Sequence, residues 1–238
     1  AKLPNGNEVF LTPNSWSSVF TKSISDLRNK KVLEFEVDDV DAVNLAAGNQ
    51  EIELQKSGDE WQIRKPMDSK ADKSELVSFL NSIRFARAAA FPEPAIDAKS
   101  AGLDPAAARI TLHDGKARAD RVLLIGQTEA TGKYYARDAS RVPIFTIEKE
   151  IPEKARRPIF DWRDKTVARV ERDKIDEIEL QIGSEKSSLK KSGSDWKLAD
   201  GRKLQWDKVS GMLSALEFEK AKDIVDSPKN LSTYGLDK

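Results

Sequence analysis

Tyr134-Tyr135-Ala136-Arg137 is the stretch whose residue types come nearest to a ligand surface. Side chains alternate between the faces of a strand, so one of the two adjacent tyrosines must point outward. If the chain carries a ligand surface, it lies at Tyr134, Tyr135 and Arg137; the plain alternative is a tyrosine on the open face of a sheet. A second candidate is Asp38-Asp39-Val40-Asp41, whose carboxylates could hold a hard cation or act as the acid and base of glycoside hydrolysis. A calcium loop needs several ligands around a glycine turn, and the related stretch further on keeps only Asp173 and Asp176, between Arg172 and Lys174. The acidic run therefore reads as a solvated turn.

Ser57-Gly58-Asp59-Glu60-Trp61 and Ser192-Gly193-Ser194-Asp195-Trp196 set an aromatic beside acids, as sugar sites do. Large aromatics mostly bury, so each Trp is expected to face inward after a hairpin turn. Ala101-Gly102-Leu103-Asp104-Pro105 and Tyr234-Gly235-Leu236-Asp237 each carry a single glycine, too few for a nucleotide or dinucleotide loop. Glycine there supplies positive φ, and the following Leu plugs the core. The chain has no cysteine and one histidine, His113, which rules out thiolate chemistry, Cys-ligated metal and any multi-His site. His113 lies in an alternating run and reads as a strand side chain. No catalytic residue, cofactor or metal is expected, and the chain is not read as an enzyme.

The elements that would position these residues are written twice. Asp26, Arg28, Trp61 and their neighbours return 135 positions on as Asp161, Arg163 and Trp196. After Trp196 the offset falls to 133, and Gly102 and Asp104 return as Gly235 and Asp237. A loop near Pro66 absorbs the two-residue difference. The organisation expected is a tail of a preceding repeat over 1–25, a complete repeat over 26–160, and a second repeat over 161–238 that stops short. Asp26 with Arg28, and Asp161 with Arg163, are expected to brace a repeat junction.

Apolar spacing predicts a short strand over Val9–Thr12 and a helix over Ser15–Ser25, capped by Asn14 or Ser15. Strands follow around Val32–Val37, Val40–Leu45, Ile52–Leu54 and Trp61–Ile63, with glycine-containing turns of hairpin length. Leu76, Phe79, Leu80 and Ile83 mark a helix over Lys70–Arg87, repeated as Val209, Met212, Leu213 and Leu216. A second strand set spans Ile110–Ile147, and a short helix runs over Glu148–Arg157. The fold class expected is α+β, with antiparallel β-meanders and one main helix per repeat, in tandem duplication.

The 238 residues are 39% hydrophobic and 34% charged, polar but globular, with 40 basic and 40 acidic side chains. Such a balance lacks the basic field of a nucleic-acid binder, so nucleic acid is not an expected partner. No stretch approaches the roughly 18–20 apolar residues of a transmembrane helix.

Lys56-x-Gly58-x-x-Trp61 before Pro66, a helix start at Ala71-Asp72, Gly102-Leu103-Asp104-Pro105, Leu123-x-Ile125-Gly126 and Tyr134-Tyr135-Ala136-Arg137 occur in that order. Together they resemble a family of domains of unknown function, often in tandem copies, that accompanies gliding-motility-type ABC transporters in bacteria. The second copy departs from it, lacking the proline after Trp196 and everything beyond Asp237. The resemblance implies an extracytoplasmic, periplasmic-side protein, held by an N-terminal transmembrane helix absent from this chain, with an ABC transporter component as membrane partner. It implies no catalytic residue. Three functions follow as expectations: a non-enzymatic accessory or scaffold module; a glycan- or peptide-binding module using an inter-repeat groove or an open sheet edge; and, least supported, a hydrolase using paired carboxylates.

Overall fold

Alternation of apolar and polar side chains builds the first hairpins. Val43 and Leu45 on β1 (Val40–Ala47), Ile52 and Leu54 on β2 (Gln50–Ser57), and Trp61 and Ile63 on β3 (Glu60–Lys65) are all buried on one face. Gly48 and Gly58, both at positive φ, make the tight connections between them. The computed structural model describes residue 2 and residues 4–236, with the backbone alone at Ser25 and Ile182. The chain divides into two compact units, Ala1–Arg163 and Asp164–Lys238. The fold is α+β with antiparallel strands.

In the first unit, β4 (Ser69–Lys70) follows β3, and α3 (Lys73–Phe85) follows β4. Asp72 caps α3 by accepting the amides of Ser74 and Glu75, so the helix starts at Lys73 and not at Lys70. Leu76, Phe79, Leu80 and Ile83 form its buried stripe. The second strand set is β5 (Ala108–Asp114), β6 (Ala119–Thr128), β7 (Tyr134–Asp138) and β8 (Phe145–Ile147). The two meanders are halves of one eight-stranded antiparallel sheet, in the order β4-β3-β2-β1-β5-β6-β7-β8, because β5 pairs along β1.

Two short helices, α4 (Glu150–Ala155) and α5 (Ile159–Trp162), complete the main core, where Ile151, Ala155 and Trp162 join Phe79 and Ile83. The Trp162 ring meets Phe79 edge-on, with centroids 5.1 Å apart. The end of α5 is fixed by backbone: the Asp72 amide donates to the Trp162 carbonyl at 2.8 Å, and Ala71 bridges Arg163. The opposite face of the sheet carries a smaller cluster of Ala101, Leu103 and Leu124. Leu123 and Ile125 enter the main core while Leu124 enters the smaller one, as strand alternation requires.

Three expected elements differ. Val32–Val37 is not a strand: Val32 and Leu33 are both buried, which breaks alternation, and the backbone is tied instead to the exit of α3, Ala88 donating to the Lys30 carbonyl. Among the described residues, Val9–Thr12 makes a single bridge, between Val9 and Lys2, and no strand. The helix expected over Ser15–Ser25 is two, α1 (Asn14–Phe20) and α2 (Ile24–Leu27). Ser23 and Asp26 form a reciprocal capping box that starts a new helix, while neither Asn14 nor Ser15 caps α1.

The second unit repeats the framework of the first on a smaller scale. Its three-stranded sheet runs β11-β10-β9, from β9 (Glu177–Ile182), β10 (Glu185–Ser192) and β11 (Asp195–Leu198). The helix α6 (Trp206–Phe218) follows. Ala221 donates to Lys165 and Leu204 to Trp196, the same bonds that Ala88 makes to Lys30 and Ala71 to Trp61. Leu189, Trp196, Val209 and Leu213 are its buried core.

Candidate functional site

The tyrosine strand does not assemble one site. Tyr134 lies on the main-core side of β7, beneath the Arg156 guanidinium at 5.0 Å from its ring centroid. Tyr135 lies on the other face, against the cluster of Leu103 and Leu124. Arg137 shares the face of Tyr135 and pairs with Leu124 in register. Its Nε is buried without a hydrogen-bond partner among the described residues. Both tyrosines are half-buried and serve as edges of the two apolar clusters, so only Tyr135 and Arg137 face the same way.

Trp61 and Trp196 are buried in their respective cores. Gly102 and Gly235 both have φ near +68°, at 67° and 68°. A side chain at Gly102 would come within 2.9 Å of the Gln127 amide nitrogen, whereas Gly235 has open space. Asp104 sits in an exposed turn, and Asp237 lies outside the described residues. Asp26 is held by Ser23, its Oδ2 accepting from the Ser23 amide and hydroxyl, which with Lys30 lowers its pKa below the ordinary carboxylate value. Arg28 lies 4.8 Å from the Phe91 ring centroid and 4.0 Å from Glu93. Asp26 and Arg28 therefore serve different partners, not one bracing pair. Asp161 belongs to α5, and Arg163 follows it.

The acidic run opens β1 from a 3-10 turn over Val37–Asp39, with Asp39 reaching Lys116 at 3.8 Å. His113 on β5 is a strand residue whose Nδ1 lies 2.9 Å from Asp120 Oδ1, with Asp41 at 4.0 Å from Nε2. The Asp120 contact raises the histidine's pKa above its ordinary value. Among the described residues, no group of three or more acidic or histidine side chains is arranged to hold a metal ion.

Sequence reasoning missed a polar pocket in the first unit. It is a cavity of about 420 Å³ bordered by residues 31–36, the end of α3, and β5 and β6. Lys31, Arg84, Arg87 and Arg121 face Glu34, Glu36, Asp39 and Asp114 there. Arg84 is paired to Glu36 at 2.5 Å and Arg121 lies 3.7 Å from the buried Asp114, which leaves Arg87 without an ion-pair partner among the described residues. These residues lie in four separate stretches and form no motif. The one signal was Phe85, an apolar residue at the helix end that stays exposed.

A family model described as Domain of unknown function (DUF4340) matches residues 1–105 and 61–238. No curated protein and no solved structure matches the chain.

Proposed function

We propose a role for a chain that belongs to the DUF4340 family of domains of unknown function: a non-enzymatic, extracytoplasmic accessory or scaffold module of a bacterial ABC-type envelope transport system. The observation that supports it is the distribution of apolar surface. The tyrosines that could have formed a recessed ligand site are spent on packing, whereas large apolar side chains stand exposed along α1, α2 and α6, as protein-contact surfaces require. The transporter, the periplasmic side and an anchoring helix outside this chain rest on the resemblance of the Gly-Leu-Asp-Pro and Tyr-Tyr-Ala-Arg motif order. Crosslinking of the tagged chain in native bacterial envelopes, followed by capture, tests it. Enrichment of a transporter's membrane subunit is the expected result, and capture of no envelope protein rejects the reading.

A second reading, a glycan- or peptide-binding module, is favoured by the pocket around Arg84, Arg87 and Arg121. A thermal-shift screen against cell-wall fragments, acidic sugars and peptides addresses it, because a ligand bound only by the folded state raises Tm. A saturable shift abolished by Arg87→Ala would move the assignment to this reading.

A further inference from the structure

In the polar pocket of the first unit every carboxylate is engaged, and two donors are not. Glu34 accepts from Asn29 and lies 3.9 Å from Lys31. Glu36 holds Arg84, Asp39 lies 3.8 Å from Lys116, and Asp114 accepts the Ala117 amide at 2.7 Å. Among the described residues, Arg87 has no ion-pair partner and the buried Nε of Arg121 has no hydrogen-bond partner. Two unmet cationic donors beside satisfied acids call for an anion. The pocket wall over residues 33–36 adds a second demand. Leu33 and Phe35 are buried while Glu34 and Glu36 are exposed, the alternation of a strand. Yet the backbone amides and carbonyls of Leu33, Glu34 and Phe35 have no backbone partner among the described residues.

Phe85 and Arg87 also border a second cavity, of about 340 Å³, over the buried Ile147 and Ile151. Glu148 and Glu150 border it too, so it opposes a second acid and suits an apolar side chain. We propose that the two cavities take an extended segment of a partner protein. Its backbone pairs with residues 33–36, one acidic side chain meets Arg87 and Arg121, and an apolar neighbour lies beside Phe85. The inference rests on the ligand-binding reading of this pocket and names the ligand as peptide. Unpaired, strand-like backbone is a template for another chain, whereas a sugar ring presents no run of amides and carbonyls at strand spacing. The spare cations then select the acidic residue, and the backbone supplies affinity that is blind to the other side chains.

Selection on the immobilised full chain from a pool of capped pentapeptides, with glutamate fixed at the centre and the flanking positions varied, tests it. The best binder is then titrated by NMR, where the amides of residues 33–36, Phe85 and Arg87 are expected to shift saturably. Glutamine in place of the peptide's glutamate, or Arg87→Ala in the protein, is expected to weaken binding about tenfold, as for one hydrogen bond to a charged group. Arg87→Ala should keep the wild-type Tm, because the side chain is exposed and the backbone bridge to Lys31 remains. N-methylation of one alternate set of amides in the peptide is expected to abolish binding, and of the other set to spare it. A pool that yields no binder, a binder that leaves residues 33–36 unshifted, or one that binds whichever set is methylated overturns the proposal. If glucuronic acid or inorganic phosphate nevertheless shifts Arg87, the pocket binds a ligand that is not a peptide; if neither does, the ligand-binding reading falls with the proposal.

Discussion

Phe79 and Met212 occupy the same step of the repeat and have opposite surroundings. Phe79 is sealed beneath Trp162 in a core that also takes side chains from β5, β7 and β8. Met212 is half-exposed on a helix that packs against three strands. The same holds in the sheets: Val40, Val43 and Leu45 are buried, while their counterparts Ile175, Ile178 and Leu180 are only partly covered. Backbone framework is therefore a property of the first half of the repeat, but burial is conferred by the second half. Even the ion pair that ties the main helix to the turn before the first strand survives in reversed polarity. Glu36 meets Arg84 in the first unit, and Arg172 meets Glu217 in the second.

The largest expected difference is at this helical step. Phe79→Ala should cost about 3–5 kcal/mol in urea unfolding, since it opens a cavity under Trp162. Met212→Ala should cost less than about 2 kcal/mol, because little of its surroundings closes over it. Equal losses would break the comparison. Next come the paired glycines. Gly102→Ala adds a contact with the Gln127 backbone to the strain of a left-handed residue, about 2–4 kcal/mol together. Gly235→Ala has the same φ and open space, so about 1 kcal/mol of strain alone is expected.

These positions also mark how far the sequence could be read. Trp61, the hairpin turns and the α3 stripe were legible because each is local: a period of two, a glycine at a turn, a period of 3.6. The join of β1 to β5 was not, since it pairs residues some 70 positions apart and leaves no mark in either strand's pattern. The separation of Tyr134 from Tyr135 and Arg137 follows from alternation. What spent both tyrosines was the 96–107 loop and Arg156, which come from elsewhere in the chain. The split of α1 from α2 was written in Ser23-x-x-Asp26, whose capping box outweighed a continuous apolar stripe.

A smaller effect separates the helix starts. Asp72→Ala leaves the Ser74 and Glu75 amides without their acceptor and should cost about 0.5–2 kcal/mol. The equivalent Gln205 provides no side-chain cap to α6. Gln205→Asp should therefore stabilise the second unit by up to about 1 kcal/mol, read as a rise in Tm. If it does not, α6 begins differently from α3 and the equivalence of the two helices fails at its first turn.

The smallest effect is a difference in the sign of pH dependence. In the first unit, the hydrogen bond from Asp120 raises the pKa of His113 in the folded state. Its contribution is full below the ordinary histidine value of about 6.5 and is lost as pH rises through the raised folded value. In the second unit, Lys203 lowers the pKa of Asp195, so that contribution is present above the ordinary carboxylate range and is lost as pH falls. Both pairs are exposed, so each step is small and screened by salt. An NMR titration of the single histidine resolves the first directly: its midpoint should lie above 6.5 and return toward it in Asp120→Asn. A midpoint at or below the ordinary value would mean that His113 and Asp120 are not bonded, and that the β5–β6 register beside them is set by the backbone ladder alone.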